Sequence, residues 1–99
     1  MEIEHAIANR LQVEFSYDGH YRLVLPGAYG LHATTHRPTL RGYQVGGGSS
    51  SRTPPFWSLF SLDRISDFVV SEIRFEENPP DFTPGDKHLN PIIIELTTS

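Results

Sequence analysis

Residues 11–25 read LQVEFSYDGHYRLVL, and the fold turns on them. Val13, Phe15 and Tyr17 alternate with Gln12, Glu14 and Ser16. A period of two puts the apolar side chains on one side of an extended chain, the pattern of a half-buried strand. Asp18-Gly19 follows, a hairpin signal, because a tight two-residue turn needs positive φ and glycine supplies it without steric cost. YRLVL (21–25) then returns as a second strand, and Pro26-Gly27 is expected to stop it.

Towards the N-terminus the period changes. Ile3, Ala6, Ile7 and Leu11 recur at spacings of three and four, a short amphipathic helix with Glu2 and Glu4 in the first turn, where the helix dipole favours acids. Towards the C-terminus, GAYGLHATTHRP (27–38) is turn-rich and is expected to cross from one side of the sheet to the other. TLRGYQV (39–45) is a third strand, with Leu40, Gly42 and Gln44 on one face and Arg41, Tyr43 and Val45 on the other. Gly42 in mid-strand marks a sharp bend or a close backbone approach.

GGGSSSRTPP (46–55) is a mobile loop between strands, with FWSLFSL (56–62) as the fourth strand and DRI (63–65) as a single helical turn. SDFVVSEIRF (66–75) is a fifth strand in which Val69, Ser71, Ile73 and Phe75 share a face. EENPPDFTPGDK (76–87) is an acidic, proline-rich surface crossing. NPIIIELTT (90–98) suits a sixth strand, a short helix is possible around Asp86 to Asn90, and the choice between helix and strand is open over 86–97. A helix followed by five or six short strands with tight turns predicts a mainly β protein: one domain over 1–99, a small SH3-like or Sm-like barrel with an N-terminal α-helix.

At 99 residues the chain suits one domain, since halves of under ~50 residues would be too small to sustain separate cores. It has no cysteine, which excludes disulfides, Cys-based zinc sites and thiol catalysis. No apolar run approaches the ~20 residues needed to span a bilayer, so the expected location is cytoplasmic, with no membrane partner.

The net charge of −4 is unevenly spread: residues 19–62 contain no Asp or Glu but hold Arg22, Arg37, Arg41 and Arg52. Arginine offers a planar fork of donors suited to phosphate and stacks on aromatic rings. An anion-binding surface is one reading of this segment; pairing of these arginines with the acidic flanks is the other.

A phosphate-loop reading of GGGSSSR fails, because that loop ends in Lys and Ser/Thr before a helix, and here Arg52-Thr53 meets Pro54-Pro55. His32 and His36 have a spacing that suits metal only on a helix, and the turn residues around them argue against one, so no metal site and no cofactor are expected. No nucleophile and base can be paired, so no enzyme and no catalytic residue are expected. The remaining signal is aromatics interleaved with arginine, a combination that binds nucleotides or single-stranded nucleic acid. Arg41 and Tyr43 are the best-placed pair, with Arg22 joining if strands two and three lie close and Arg52 reaching over from the loop.

The order of these features resembles the WYL domain over about residues 3–75: an Ala-Ile helix, a strand ending in Tyr17, a strand with Arg22 and Pro26, a central strand with Leu40 and Tyr43, and FSLDRI (60–65). Pro38-Thr39-Leu40 stands where the family has its naming tripeptide, and residues 76–99 would be a C-terminal extension. The resemblance implies an Sm-like barrel serving as a ligand-sensing or nucleic-acid-binding module, typical of bacterial transcription regulators and phage-defence loci. It also implies that Arg64 joins Arg22 and Tyr43 as a site residue. A regulator or defence-system protein is then an expected partner. The expected function is non-catalytic binding of nucleotide-type or single-stranded nucleic-acid ligands through Arg22, Arg41, Tyr43, Arg52 and Arg64. The alternative is a protein interaction or homo-oligomerisation module that pairs through an exposed strand.

Overall fold

The computed structural model describes residues 2–97. A helix, α1 (Glu2–Asn9), precedes six strands: β1 (Leu11–Tyr17), β2 (His20–His32), β3 (Pro38–Gly47), β4 (Phe56–Ser61), β5 (Ile65–Arg74) and β6 (Leu89–Glu95). A single 3₁₀ turn, Leu62–Arg64, joins β4 to β5. α1 buries Ile3, Ala6 and Ile7 and lies against β1, β2, β5 and β6. Arg10 ends the helix in the left-handed region, with φ 58°. It then clasps the end of β5. Its Nε donates to the Phe75 carbonyl at 3.1 Å, its Nη2 to Asn78 Oδ1 at 2.7 Å, and its guanidinium lies 5.0 Å from the Phe75 ring.

The Asp18-Gly19 hairpin forms as expected, with Tyr17 opposite His20 and both turn residues at positive φ. β2, however, does not stop at Pro26-Gly27. It continues to His32, paired with β3 from Arg22 to Leu31. Its other edge is shared in succession by β1, opposite His20 to Val24, and β6, opposite Ala28 to His32. Pro26 stands in the gap between these two neighbours, where a missing N–H costs no ladder bond on that side. The chain bulges there, between Pro26 and Ala28.

The sheet runs β4-β3-β2-β1-β5, with β6 added to β2. It curls far enough for Phe15 of β1 and Phe60 of β4 to meet edge to face, with centroids 5.0 Å apart, and for the Ser61 N–H to donate to the Tyr17 hydroxyl at 3.1 Å. It does not close. Among the described residues no strand joins β4 to β5, so the expected SH3-like or Sm-like barrel is corrected to an open, curled six-stranded sheet. The physical reason lies in the edges. β6, the one strand left to bridge the gap, is spent on the second half of β2, and β5 bulges twice against β1, between Ser66 and Val69 and between Val70 and Arg74. Gly42 is required by the curl: a Cβ there would stand 2.4 Å from Val24 Cγ1, across the β2–β3 pair.

The last strand resolves the choice left open over 86–97. Lys87-His88 is a turn and Leu89–Glu95 a strand, because Leu89 and Leu96 are buried and Ile92 and Ile94 are opposite Gly30 and Tyr29. The last residue of the expected 90–98 strand, Thr98, lies outside the described residues. No helix of the described residues is long and apolar enough to cross a membrane.

Candidate functional site

Strand alternation sends Leu40, Gly42 and Gln44 into the interior and Arg41 and Tyr43 to the outer face. Tyr43 is opposite Trp57 on β4, and their rings lie 5.2 Å apart. Trp57 packs over Gly27, where a Cβ would come within 2.9 Å of the indole. The segment between β5 and β6 then folds back over this face. Trp57 Nε1 donates to the Pro80 carbonyl at 2.7 Å, and Phe82 lies 6.1 Å from the indole, centroid to centroid. Arg41 Nε donates to Asp86 Oδ2 at 2.6 Å. Between them lies a cleft of about 430 Å³, whose lining includes the aromatic Trp57 and Phe82, the basic Arg41, Lys87 and His88, and the acidic Asp81 and Asp86.

The polar residues are tightly organised. Asp86 is drawn upward in pKa by burial, but hydrogen bonds from the Arg41 side chain and the His88 backbone N–H outweigh this and hold it below the usual carboxylate range. The His88 N–H reaches Asp86 Oδ1 at 2.9 Å, and Arg41 Nη2 lies 3.1 Å from His88 Nδ1. Lys87 makes no ion pair among the described residues.

The five residues expected to bind ligand fall into two groups. Arg41 lines the cleft, Tyr43 supports its aromatic wall, and Arg52 props that wall from behind: its guanidinium lies 4.1 Å from the Phe56 ring and its Nη2 donates to the Trp57 carbonyl at 3.0 Å. Arg22 points to the opposite face. It is 5 % exposed, and its fork donates to the Tyr17 carbonyl and to Gln44 Oε1. Arg64, in the 3₁₀ turn, pairs with Asp18 and stacks 4.8 Å from the Tyr17 ring. Arg22 and Arg64 thus gather around Tyr17, on the far side of the sheet from Arg41.

The arginines of the acid-free segment do not stand as one bare cationic surface. Arg37 pairs with Asp63 at 2.6 Å and Arg41 with Asp86, both acids coming from the C-terminal flank. The Ser61 hydroxyl, first, and then Arg37 lower the Asp63 pKa. His32 serves its own turn, its Nδ1 accepting the Thr34 N–H at 3.1 Å.

Phe82, Asp86, Lys87 and His88 escaped sequence reasoning, because the proline-rich crossing gave no period to place them. The available signal was local: FTPGDKH holds an aromatic, a lysine and a histidine within an otherwise acidic stretch.

No family model matches the chain, and neither a curated protein nor a solved structure does. The WYL resemblance is therefore overturned. Its motifs have ordinary local causes here: a hairpin in the first part and, in FSLDRI, a strand passing through one 3₁₀ turn into the next.

Proposed function

We propose that the cleft beside Trp57 binds a small anionic ligand with a planar ring, of nucleotide type, and carries out no chemistry on it. The observation that carries this reading is the make-up of the cleft: Trp57 and Phe82 are its aromatic residues, and Arg41, Lys87 and His88 line it beside the carboxylates of Asp81 and Asp86, the second of which is taken up by Arg41. Its volume falls within the ~300–1,000 Å³ usual for small-molecule sites. A ring would stack on the indole while an anionic group met the basic residues. A mononucleotide suits it better than a long single strand. Arg41 is already neutralised by Asp86, leaving Lys87 as the cation without an acidic partner, whereas strand binding needs several such contacts. A cysteine-free chain is compatible with the reducing cytoplasm.

The competing reading, pairing of an exposed strand with a second copy or a partner protein, meets blunted edges. β5 is bulged and its Ile73 N–H is taken by Ser71 Oγ at 3.2 Å. On β4 the Trp57 carbonyl is taken by Arg52, and β6 carries Pro91, which has no N–H.

Trp57 is the only tryptophan, so its fluorescence reports on the cleft directly. Titration with AMP is expected to quench it saturably, and Lys87→Ala to weaken binding. No saturable change with AMP or ATP up to about 1 mM, the weak limit of specific recognition, overturns the reading.

A further inference from the structure

Arg41 already holds an anion, and it is the protein's own. The Asp86 carboxylate meets the guanidinium at two points, Nε to Oδ2 at 2.6 Å and Nη2 to Oδ1 at 3.3 Å, the paired geometry in which arginine receives a carboxylate or a phosphate. Both side chains line the cleft, Asp86 10 % and Arg41 22 % exposed. Asp86 belongs to the crossing between β5 and β6, and that segment has few ties to the sheet. Pro79, Pro80 and Pro84 have no N–H, and among the described residues no backbone–backbone hydrogen bond joins 79–85 to a strand. Side chains make the ties instead: Trp57 Nε1–H to the Pro80 carbonyl, the Gly85 N–H to Glu95 Oε2 at 3.0 Å, the Phe82 ring beside the indole, and the Arg41–Asp86 pair. A segment bound so sparsely opens locally long before the sheet does.

We propose that Asp86 is a built-in competitor for the anion site: its carboxylate fills the Arg41 fork in the free protein, and the anionic group of a ligand takes its place and loosens the 79–86 crossing. This rests on the nucleotide-type reading above and adds that Arg41 belongs to the site, behind an acid that the ligand must displace. The consequence is selection by charge. A phosphate monoester, with about −1.5 to −2 charges at neutral pH, outcompetes the single charge of a carboxylate, whereas a neutral nucleoside has nothing to exchange for Asp86. The displaced acid is not stranded. Its Oδ1 accepts the His88 N–H at 2.9 Å within its own turn, and that bond moves with the crossing.

Titrations of the full chain with AMP and with adenosine, followed by Trp57 fluorescence, test the competition. Asp86→Asn keeps the size of the side chain and an acceptor for the His88 N–H but gives up the charge. It should bind AMP about tenfold more tightly, the scale of one charge-assisted hydrogen bond, and adenosine within about twofold of the unsubstituted protein. Asp81→Asn removes a cleft carboxylate that Arg41 does not hold, and should gain less than about threefold for AMP. If AMP binds the unsubstituted protein and Asp86→Asn binds it no more tightly, or Asp81→Asn gains as much, the competitor role is overturned while the nucleotide-type reading stands. If neither AMP nor ATP binds the unsubstituted protein up to about 1 mM, both are overturned.

Amide hydrogen exchange of the unsubstituted chain gives a second readout that needs no variant. Saturating AMP should speed exchange at the 82–86 amides, because the crossing loses its tie to Arg41. Slower exchange there would mean that the crossing closes on the ligand with Asp86 in place, and would overturn the displacement.

Discussion

Arg22 Nη1 donates to Gln44 Oε1 over 3.1 Å inside the curled sheet, a cation and an amide from paired strands, both buried. Among the described residues no carboxylate joins them. The charge is met instead by the Tyr17 carbonyl, at 3.0 Å from Nη2, and by the Tyr17 and Phe60 rings at 5.5 and 5.8 Å. Gln44 passes the order on, its Nε2 donating to the carbonyls of Gly46 and Gly48 at 2.9 and 3.0 Å. The glycine-rich loop is therefore anchored at its start by a chain of bonds that begins at the first hairpin.

Gln44→Leu should destabilise the fold by about 2–4 kcal/mol, because it leaves a buried guanidinium short of an acceptor and two loop carbonyls short of a donor. Urea unfolding followed by circular dichroism measures this. A loss below about 0.5 kcal/mol, the scale of an ordinary surface change, would show that the network is not holding the interior together.

Gly42→Ala should cost about 1–3 kcal/mol, the range for overpacking, since its methyl group would stand 2.4 Å from Val24 Cγ1. Val24→Ala removes the opposing methyl groups. In the double variant the two losses should be non-additive, with a coupling of at least about 0.5 kcal/mol in a double-mutant cycle.

Asp86 links stability to acid. Its folded pKa lies below the unfolded value, because hydrogen bonds from Arg41 and His88 overcome the upward pull of burial. Its contribution is thus fully present above the ordinary carboxylate range and lost as pH falls below about 4. Thermal melts should show the unsubstituted protein more stable than Asp86→Asn at neutral pH, with the gap narrowing on acidification. A gap independent of pH would mean that the charge of Asp86 contributes nothing.

Tyr21 gives the alkaline counterpart. Its hydroxyl donates to Glu14 Oε1 at 2.7 Å, and that hydrogen bond, then burial and the Glu14 charge, raise its pKa. Glu14→Gln should move the Tyr21 titration, followed by ¹³C NMR of the ring, to lower pH. No movement would show that the bond does not persist in solution.

Much of the sheet was legible because its causes are local. Alternation in 11–17, Asp18-Gly19 and the 39–45 pattern each report on neighbours in the chain, and the structure places α1, the first hairpin and the faces of β3 accordingly. Pro26-Gly27 misled because a proline's cost depends on what lies on the edge beside it. That was settled by β6, more than sixty residues away. The site was legible only in part for the same reason. Arg41 and Tyr43 share a face by alternation, but Arg22, two strand positions before Val24, faces the interior with it, and no local pattern shows that Asp86 lies across Arg41.

The sequence by itself determined a mainly β chain with one N-terminal helix, a hairpin at Asp18-Gly19, and an acid-free middle segment with its arginines. These follow from period, turn chemistry and composition, properties of short stretches. Only the tertiary structure decided that the sheet stays open, that Arg22 is an interior cation, and that the 80–88 crossing completes a cleft over Trp57. Each of those depends on which distant strand occupies an edge and which distant acid meets an arginine. Contacts of that kind are set by packing the whole chain at once.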